Sequence, residues 1–273
     1  MIMSKLTPAI ERESDQKPVV VVKLGGSMLD RLSEEFYQSF TELREHYHCI
    51  IVHGGGPAIT LMLKRLNIET EFYEGFRKTT KETLEVVEMA LSGKVNAQIT
   101  AELARQSIRA IGLKGSDARL LTAKFIDQEK WGYVGTIEHV ETDLLLRCLH
   151  ADYMPVIAPL GKTTGGQTVN INADLAAAAV AKSMNAEKLL FVTDVPGILR
   201  GGKAIEDTTP EEVASLIETG LIYGGMIPKV NAAVEALSDQ LQEVMIVSGE
   251  QPLIKHNQLK GTRIQARRKE GVK

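Results

Sequence analysis

The stretch PVVVVKLGGS, residues 18–27, constrains this chain more than any other. Successive side chains of a β-strand point to opposite faces. Four valines in a row therefore call for burial on both faces, which is the position of an inner strand in a parallel sheet covered by helices. The glycine pair Gly25-Gly26 ends the run. The pattern then repeats. A helical stretch over residues 32–47 leads to a second apolar run, Cys49-Ile50-Ile51-Val52-His53, which ends on Gly54-Gly55-Gly56-Pro57 before a helical pattern resumes at Ala58. Strand, glycine turn and helix, twice over, predict an α/β fold wound around a mostly parallel sheet.

Residues 81–107 are helical in pattern, and residues 109–140 carry glycine-rich turns and short extended runs that predict hairpins. Strands are expected at 154–158 and 188–194, flanking an alanine-rich helix over 174–186. TPEEVASLIETG reads as a helix with Thr209 and Pro210 at its start and Gly220 as its stop. A last helix near 229–239 leads into a strand at 244–247. No repeat, low-complexity segment or long Pro/Ser linker divides the chain, so any two lobes must share one sheet or be joined tightly.

No apolar run approaches the roughly 20 residues of a membrane span. The opening MIMSKLTPAIERESDQK lacks the apolar core of a secretory signal, which predicts a cytoplasmic protein. Lys+Arg number 32 against 35 Asp+Glu, and aromatics make up 5%, so both the basic field and the stacking platforms of a nucleic-acid binder are missing. Cys49 and Cys148 stand far apart without CxxC spacing and read as reduced, packed thiols.

The chemistry concentrates at the glycine turns. Glycine leaves backbone N–H groups uncovered, and a following helix start adds partial positive charge, so each turn suits phosphate or carboxylate oxygens. The alternative is that the glycines only turn the chain. Standard nucleotide signatures fail. Gly161-Lys162-Thr163 resembles the tail of a P-loop, but Val156 stands where its first glycine belongs; Ile59 replaces the third glycine of a dinucleotide fingerprint. Lys23, ending the first strand, could set a point charge over a bound phosphate or simply face solvent. Lys229, in Gly224-Gly225-Met226-Ile227-Pro228-Lys229, is a second such cation near a helix start. If residues 170–174 are extended, Asn170, Asn172 and Asp174 project to one face; Asp174 could equally cap the helix. Asp194 ends a strand, where α/β folds bind ligands, or it is only a turn residue. Arg77 could clamp a carboxylate or be a surface arginine. The six histidines show no metal-binding spacing, and His53 reads as a packing or hydrogen-bonding residue.

Seven motifs, VVKLGGS, IIVHGGGPAI, GFRKTT, VGTIE, NINAD, FVTDVPGIL and GGMIPKV, occur here in the order found in the amino-acid kinase family, and the resemblance runs from Pro18 to about Ile264. Within that family the motifs are most similar to the branch that phosphorylates N-acetyl-L-glutamate in arginine biosynthesis. The resemblance implies a three-layer αβα sandwich. It implies an acid-binding and dimerising N-terminal lobe over 18–175, a nucleotide-binding C-terminal lobe over 176–266 and a polar extension over 1–17. It implies ATP with Mg²⁺ carried on the nucleotide phosphates, no metal site on the protein, and a homodimer. By motif, Lys23 and Lys229 would stabilise the transferring phosphoryl group and Asp174 would orient both. Gly55, Gly56, Arg77, Asn170 and Asn172 would hold the acid. Gly25, Gly26, the segment Asp194, Val195, Pro196, Gly197, Ile198 and Leu199, the stretch Leu221, Ile222 and Tyr223, and Gly225 and Met226 would meet the nucleotide. Relatives commonly have a hydrophobic residue at Lys78, which bears on the shape of the acid pocket. Leu24 stands where arginine-inhibited relatives have tyrosine, and Pro8 interrupts the short lead-in, so a dimer insensitive to arginine is expected. Two other readings share the motifs: a kinase for carrier-linked aminoadipate or glutamate, and a non-catalytic regulatory module.

Overall fold

The computed structural model describes residues 17–73, 76–255 and 258–266. The expected N-terminal extension, Lys17 apart, lies outside the described residues, and so does the Pro8 argument. An eight-stranded sheet forms the centre, in the order β14 (Asp207–Thr208), β18 (Thr262–Gln265), β15 (Glu243–Ser248), β11 (Lys188–Thr193), β1 (Val19–Leu24), β2 (His48–His53), β8 (Met154–Ala158) and β5 (Ala110–Lys114). All neighbours are parallel except β15 and β18. A small closed barrel of β6 (Leu121–Phe125), β7 (Val134–Val140), β9 (Leu160–Thr163) and β10 (Thr168–Ile171) stands beside it. Three two-stranded hairpins complete the strands: β3 (Phe72–Tyr73) with β4 (Phe76–Arg77), β12 (Leu199–Arg200) with β13 (Lys203–Ala204), and β16 (Ile254–Lys255) with β17 (Gln258–Leu259).

The valine run sits as its pattern requires. Val21 joins one core with Ile50, Val52, Leu189 and Phe191, under α7 (Ala173–Ser183), α8 (Pro210–Glu218) and α9 (Met226–Ala236). Val20 and Val22 join the other, with Cys49 and Ile51, against Phe36, Phe40 and Leu43 of α1 (Glu34–His46) and Ile99 and Leu103 of α4 (Asn96–Arg105). These are the three layers. Each buried valine stabilises the fold by about 1.5–3 kcal/mol relative to exposure. The flanking helices start where local chemistry dictates. Ser33 accepts a hydrogen bond from the Phe36 N–H at the start of α1, and Thr209 with Glu212 forms a reciprocal cap ahead of Pro210 in α8. Gly220 takes a φ of 70° after α8, the left-handed turn that suits glycine. Cys49 and Cys148 are free and buried, and burial pushes the Cys49 thiol up to about 12.

Several sequence expectations need correction. Among residues 109–140 only β6 and β7 form a hairpin, whereas β5 joins the main sheet parallel to β8. As a half-exposed edge strand, β5 lacks the continuous apolar run that marks inner parallel strands. Trp131 ends a short helix, α5 (Gln128–Trp131). The helix over 81–107 is interrupted: α3 (Lys81–Glu88) widens into a π-turn, Met89–Val95, before α4. Strand β10 stops at Ile171, and Asn172 rather than Asp174 caps α7, accepting from the Asp174 and Leu175 N–H groups. The last helix begins at Met226, three residues before Lys229. Pro228 is tolerated there because first-turn N–H groups have no partner within the helix.

Candidate active site

The parallel strands β1, β2 and β11 end side by side at one cleft of about 370 Å³, the edge where α/β sheets bind ligands. Two glycine turns form its floor. They lie backbone against backbone. A Cβ on Gly26 would stand 2.7 Å from the Gly55 nitrogen and 2.8 Å from that of Gly56, and one on Gly54 would stand 3.2 Å from the Gly26 nitrogen. Around Gly56 nothing lies within 4 Å of a Cβ position, so this turn opens to the cleft. Helix α2 (Gly56–Arg65) starts here with no side-chain cap, so its first N–H groups remain available to an anion.

Lys23 and Lys229 both line the cleft, but they have different partners. Lys23 Nζ lies 2.7 Å from Asp174 Oδ1. Lys229 Nζ lies 2.7 Å from Asp194 Oδ1 and donates to Thr193 Oγ1 at 2.5 Å. Among these contacts Asp174 holds Lys23, while Lys229 pairs with Asp194. Asp194, expected from its motif to meet the nucleotide, is the partner of Lys229. Hydrogen bonds from Lys229 and then Thr193 pull the Asp194 carboxyl down to about 2. That depressed value means the pair's stabilisation is present above the ordinary carboxylate range and fades only as pH falls towards 2. Arg31 adds a cation 3.6 Å from Asp194 Oδ2.

Arg77, at the end of β4, is 6% exposed. Its guanidinium sits 4.4 Å from the Phe72 ring centroid and donates to Thr60 Oγ1 at 2.7 Å, to Thr70 Oγ1 at 2.5 Å and to the Gly56 carbonyl at 3.2 Å. Among the described residues no carboxylate pairs with it, and burial lowers its pKa. Asn170 donates to Thr79 Oγ1 at 3.2 Å. Asn170, Asn172 and Asp174 all line the cleft with Arg77, Gly55 and Gly56, brought there by a strand-to-helix turn and not by one extended face. Lys78 pairs with Glu71 at 3.2 Å and does not line the cleft.

The remaining motif residues are placed differently. Gly25 and Gly26 line the cleft; Asp194 to Leu199, Leu221 to Tyr223, Gly225 and Met226 do not. Ile198 and Ile222 are buried in the core, so their side chains are unavailable to a ligand. Tyr223, at 76% exposure, presents a free ring. Gly197 has a φ of 143°, and a Cβ there would stand 2.5 Å from Thr262 Oγ1. Sequence reasoning missed Thr193, Arg31, Phe72 and Phe76. The one available signal was for Thr193, a polar residue closing an apolar strand just before Asp194.

The amino acid kinase family model matches residues 18–248, which takes in both lysines, both glycine turns and Asp174. The chain belongs to the amino acid kinase family. Among members of this family, the acetylglutamate kinases of Geobacillus sp. (strain WCH70) and Bacillus subtilis (strain 168) are each 51% identical to it. The matches span 246 and 249 residues, covering 90% and 91% of this chain and 96% of each relative. The crystal structure of a Streptococcus mutans UA159 protein matches with a TM-score of 0.80 at 30% identity, over 92% of this chain and 100% of the other. In this amino acid kinase the described residues include no helix long and apolar enough to cross a membrane.

Proposed function

We propose that this chain is an acetylglutamate kinase, transferring the γ-phosphoryl group of ATP to the side-chain carboxylate of N-acetyl-L-glutamate. The product is the acyl phosphate N-acetyl-L-glutamyl 5-phosphate, an intermediate of arginine biosynthesis. One observation supports it most: two lysines from different elements and two uncovered glycine turns share a cleft with an arginine that, among the described residues, pairs with no carboxylate. The 51% identity to named acetylglutamate kinases supplies the choice of acid.

The acceptor carboxylate is already ionised at neutral pH, so no general base is required. The reaction needs in-line placement and cancellation of negative charge on the phosphoryl oxygens. Lys23 and Lys229 supply that charge, and the amides of the glycine turns add donors that need no rearrangement. Asp174 keeps Lys23 aimed. Among the described residues no group of three or more His, Cys, Asp or Glu side chains is placed to hold a metal. In this reading Mg²⁺ rides on the phosphate and water oxygens of the nucleotide. Acetylation removes the ammonium charge of the substrate, so the pocket must prefer a neutral amide.

Trapping the acyl phosphate with hydroxylamine, with N-acetylglutamate, glutamate and aminoadipate compared, tests the proposal. Hydroxamate from N-acetylglutamate supports it; hydroxamate only from another acid, or none at all, overturns it. Arg77→Lys is expected to raise the KM for the acid while leaving that for ATP unchanged. Lysine keeps the charge but loses the forked geometry, a loss of about 1–3 kcal/mol; an ATP defect instead would remove Arg77 from the acid pocket. The proposal also includes a cytoplasmic homodimer whose activity is flat across an arginine titration, with Leu24 fully buried at the end of β1. Light scattering with activity assays checks it, and an arginine-inhibited hexamer would refute it.

A further inference from the structure

His53 ends β2 immediately before the triple glycine and is completely buried, yet no step of the proposed reaction uses it. Its ring has two partners. Nδ1 lies 2.9 Å from the Gly54 carbonyl oxygen, and Nε2 lies 3.1 Å from Asn96 Nδ2. The same Asn96 Nδ2 donates to the Val156 carbonyl at 2.8 Å. The protons follow from this geometry alone. A carbonyl oxygen can only accept, so the Asn96 NH₂ must face Val156, and its second hydrogen goes to His53 Nε2. Nε2 is then an acceptor. Nδ1 therefore carries the proton and donates to Gly54. Burial, opposed by the Gly54 hydrogen bond, lowers the ring's pKa to about 4, which agrees with a neutral imidazole.

The Gly54 bond matters because of where it acts. Gly54 and Gly55 are joined by a planar trans peptide, so the Gly54 C=O and the Gly55 N–H point in opposite directions. Glycines on both sides leave that plane free to rotate unless something holds it. Holding the carbonyl against His53 turns the Gly55 N–H to the opposite side. The loop is also supported from behind: a Cβ on Gly55 would stand 2.5 Å from Leu91 Cδ2 and 3.3 Å from Val95 Cγ2. Leu91 and Val95 belong to the π-turn, and Asn96 follows it directly. A wide turn of this kind shifts the register of the side chains beyond it and is common at functional sites. Here one irregular helix supplies both the wall behind Gly55 and the amide that sets the tautomer of His53.

We propose that His53, oriented by Asn96, is a positioning residue that fixes the Gly54 peptide and thereby aims the Gly55 and Gly56 amides at the oxygens of the acid substrate. This rests on the reading of the cleft as an N-acetylglutamate site. Two substitutions separate the roles of the two ring nitrogens. His53→Asn places an amide nitrogen near the Nδ1 position and keeps the Gly54 bond. His53→Gln places its amide near the Nε2 position and keeps the Asn96 bond. Both forfeit one buried hydrogen bond and both lose stability, but only His53→Gln releases the glycine peptide. His53→Gln is expected to lower kcat/KM for N-acetylglutamate by about 10-fold to 100-fold, with the KM for ATP unchanged, while His53→Asn retains most of the parent value. Equal acid defects in the two variants, or a parallel rise in the KM for ATP, would overturn the proposal. The parent enzyme gives an independent measurement. Long-range ¹H–¹⁵N spectra of histidine-labelled protein, assigned by difference from His53→Gln, should show the neutral Nδ1–H form of His53 at pH 7. An Nε2–H form or an imidazolium would overturn the proposal. A parent enzyme that turns over no N-acetylglutamate would instead overturn the function proposed above, and the tautomer spectrum is read without substrate.

Discussion

Lys229→Ala is expected to lower kcat by about 10²–10³ while moving the KM of either substrate far less. The charge of Lys229 counts most when negative charge redistributes over the phosphoryl oxygens in the transition state, and an interaction made mainly there is read in kcat. The Asp194 carboxyl, held near 2 by Lys229 and Thr193, is ionised throughout the neutral range. An incoming phosphate must therefore draw Lys229 away from Asp194 or share it. Removing the lysine leaves the Asp194 carboxylate beside the cleft, held by Thr193 and faced by Arg31 at 3.6 Å, and its remaining negative charge repels the very oxygens the lysine attracted. Both effects act in the same direction. Steady-state kinetics with each substrate varied in turn checks this, and turnover within about threefold of the parent would remove Lys229 from phosphoryl stabilisation.

The sequence was most legible where one residue's surroundings come from its own neighbours in the chain. Four valines placed β1 in the sheet interior, and glycine turns marked the ends of β1 and β2, because strand burial and turn geometry are local demands. Strand β5 was misread because an edge strand meets those demands on one side only. Partner choice was hidden for a different reason. Both lysines were found, but Lys229 pairs with a residue 35 positions away, across three short strands, a helix and several turns. Nothing in the local pattern distinguishes Asp174 from Asp194 as its partner. His53 was read as a hydrogen-bonding residue, but its partner Asn96 could not be identified. The π-turn that sets Asn96 in place leaves the helical apolar pattern of residues 81–107 almost unchanged.

Gly26→Ala is expected to cost the most of any single methyl group in the cleft. Its Cβ would stand 2.7, 2.8 and 2.9 Å from the Gly55 nitrogen, the Gly56 nitrogen and the Gly55 Cα. All three are backbone atoms, so no side chain can rotate out of the way, and the two turns must separate. Crowding of this kind in a packed region costs about 1–3 kcal/mol of stability. The catalytic loss is larger. Parting the turns moves the Gly55 and Gly56 amides relative to Lys23, and a displacement of about 1 Å in a reacting geometry commonly costs about 10²-fold. Gly25→Ala is the control, because a Cβ there would meet only the Val192 carbonyl at 3.6 Å and Met28 Cγ at 3.8 Å, ordinary contact distances. Thermal melts should therefore show Gly26→Ala well below the parent and Gly25→Ala close to it, with kcat/KM for Gly26→Ala down at least about 10²-fold. A Gly26→Ala protein with the parent's melting temperature and activity would mean that the two turns do not touch, and the shared anion cradle would have to be abandoned.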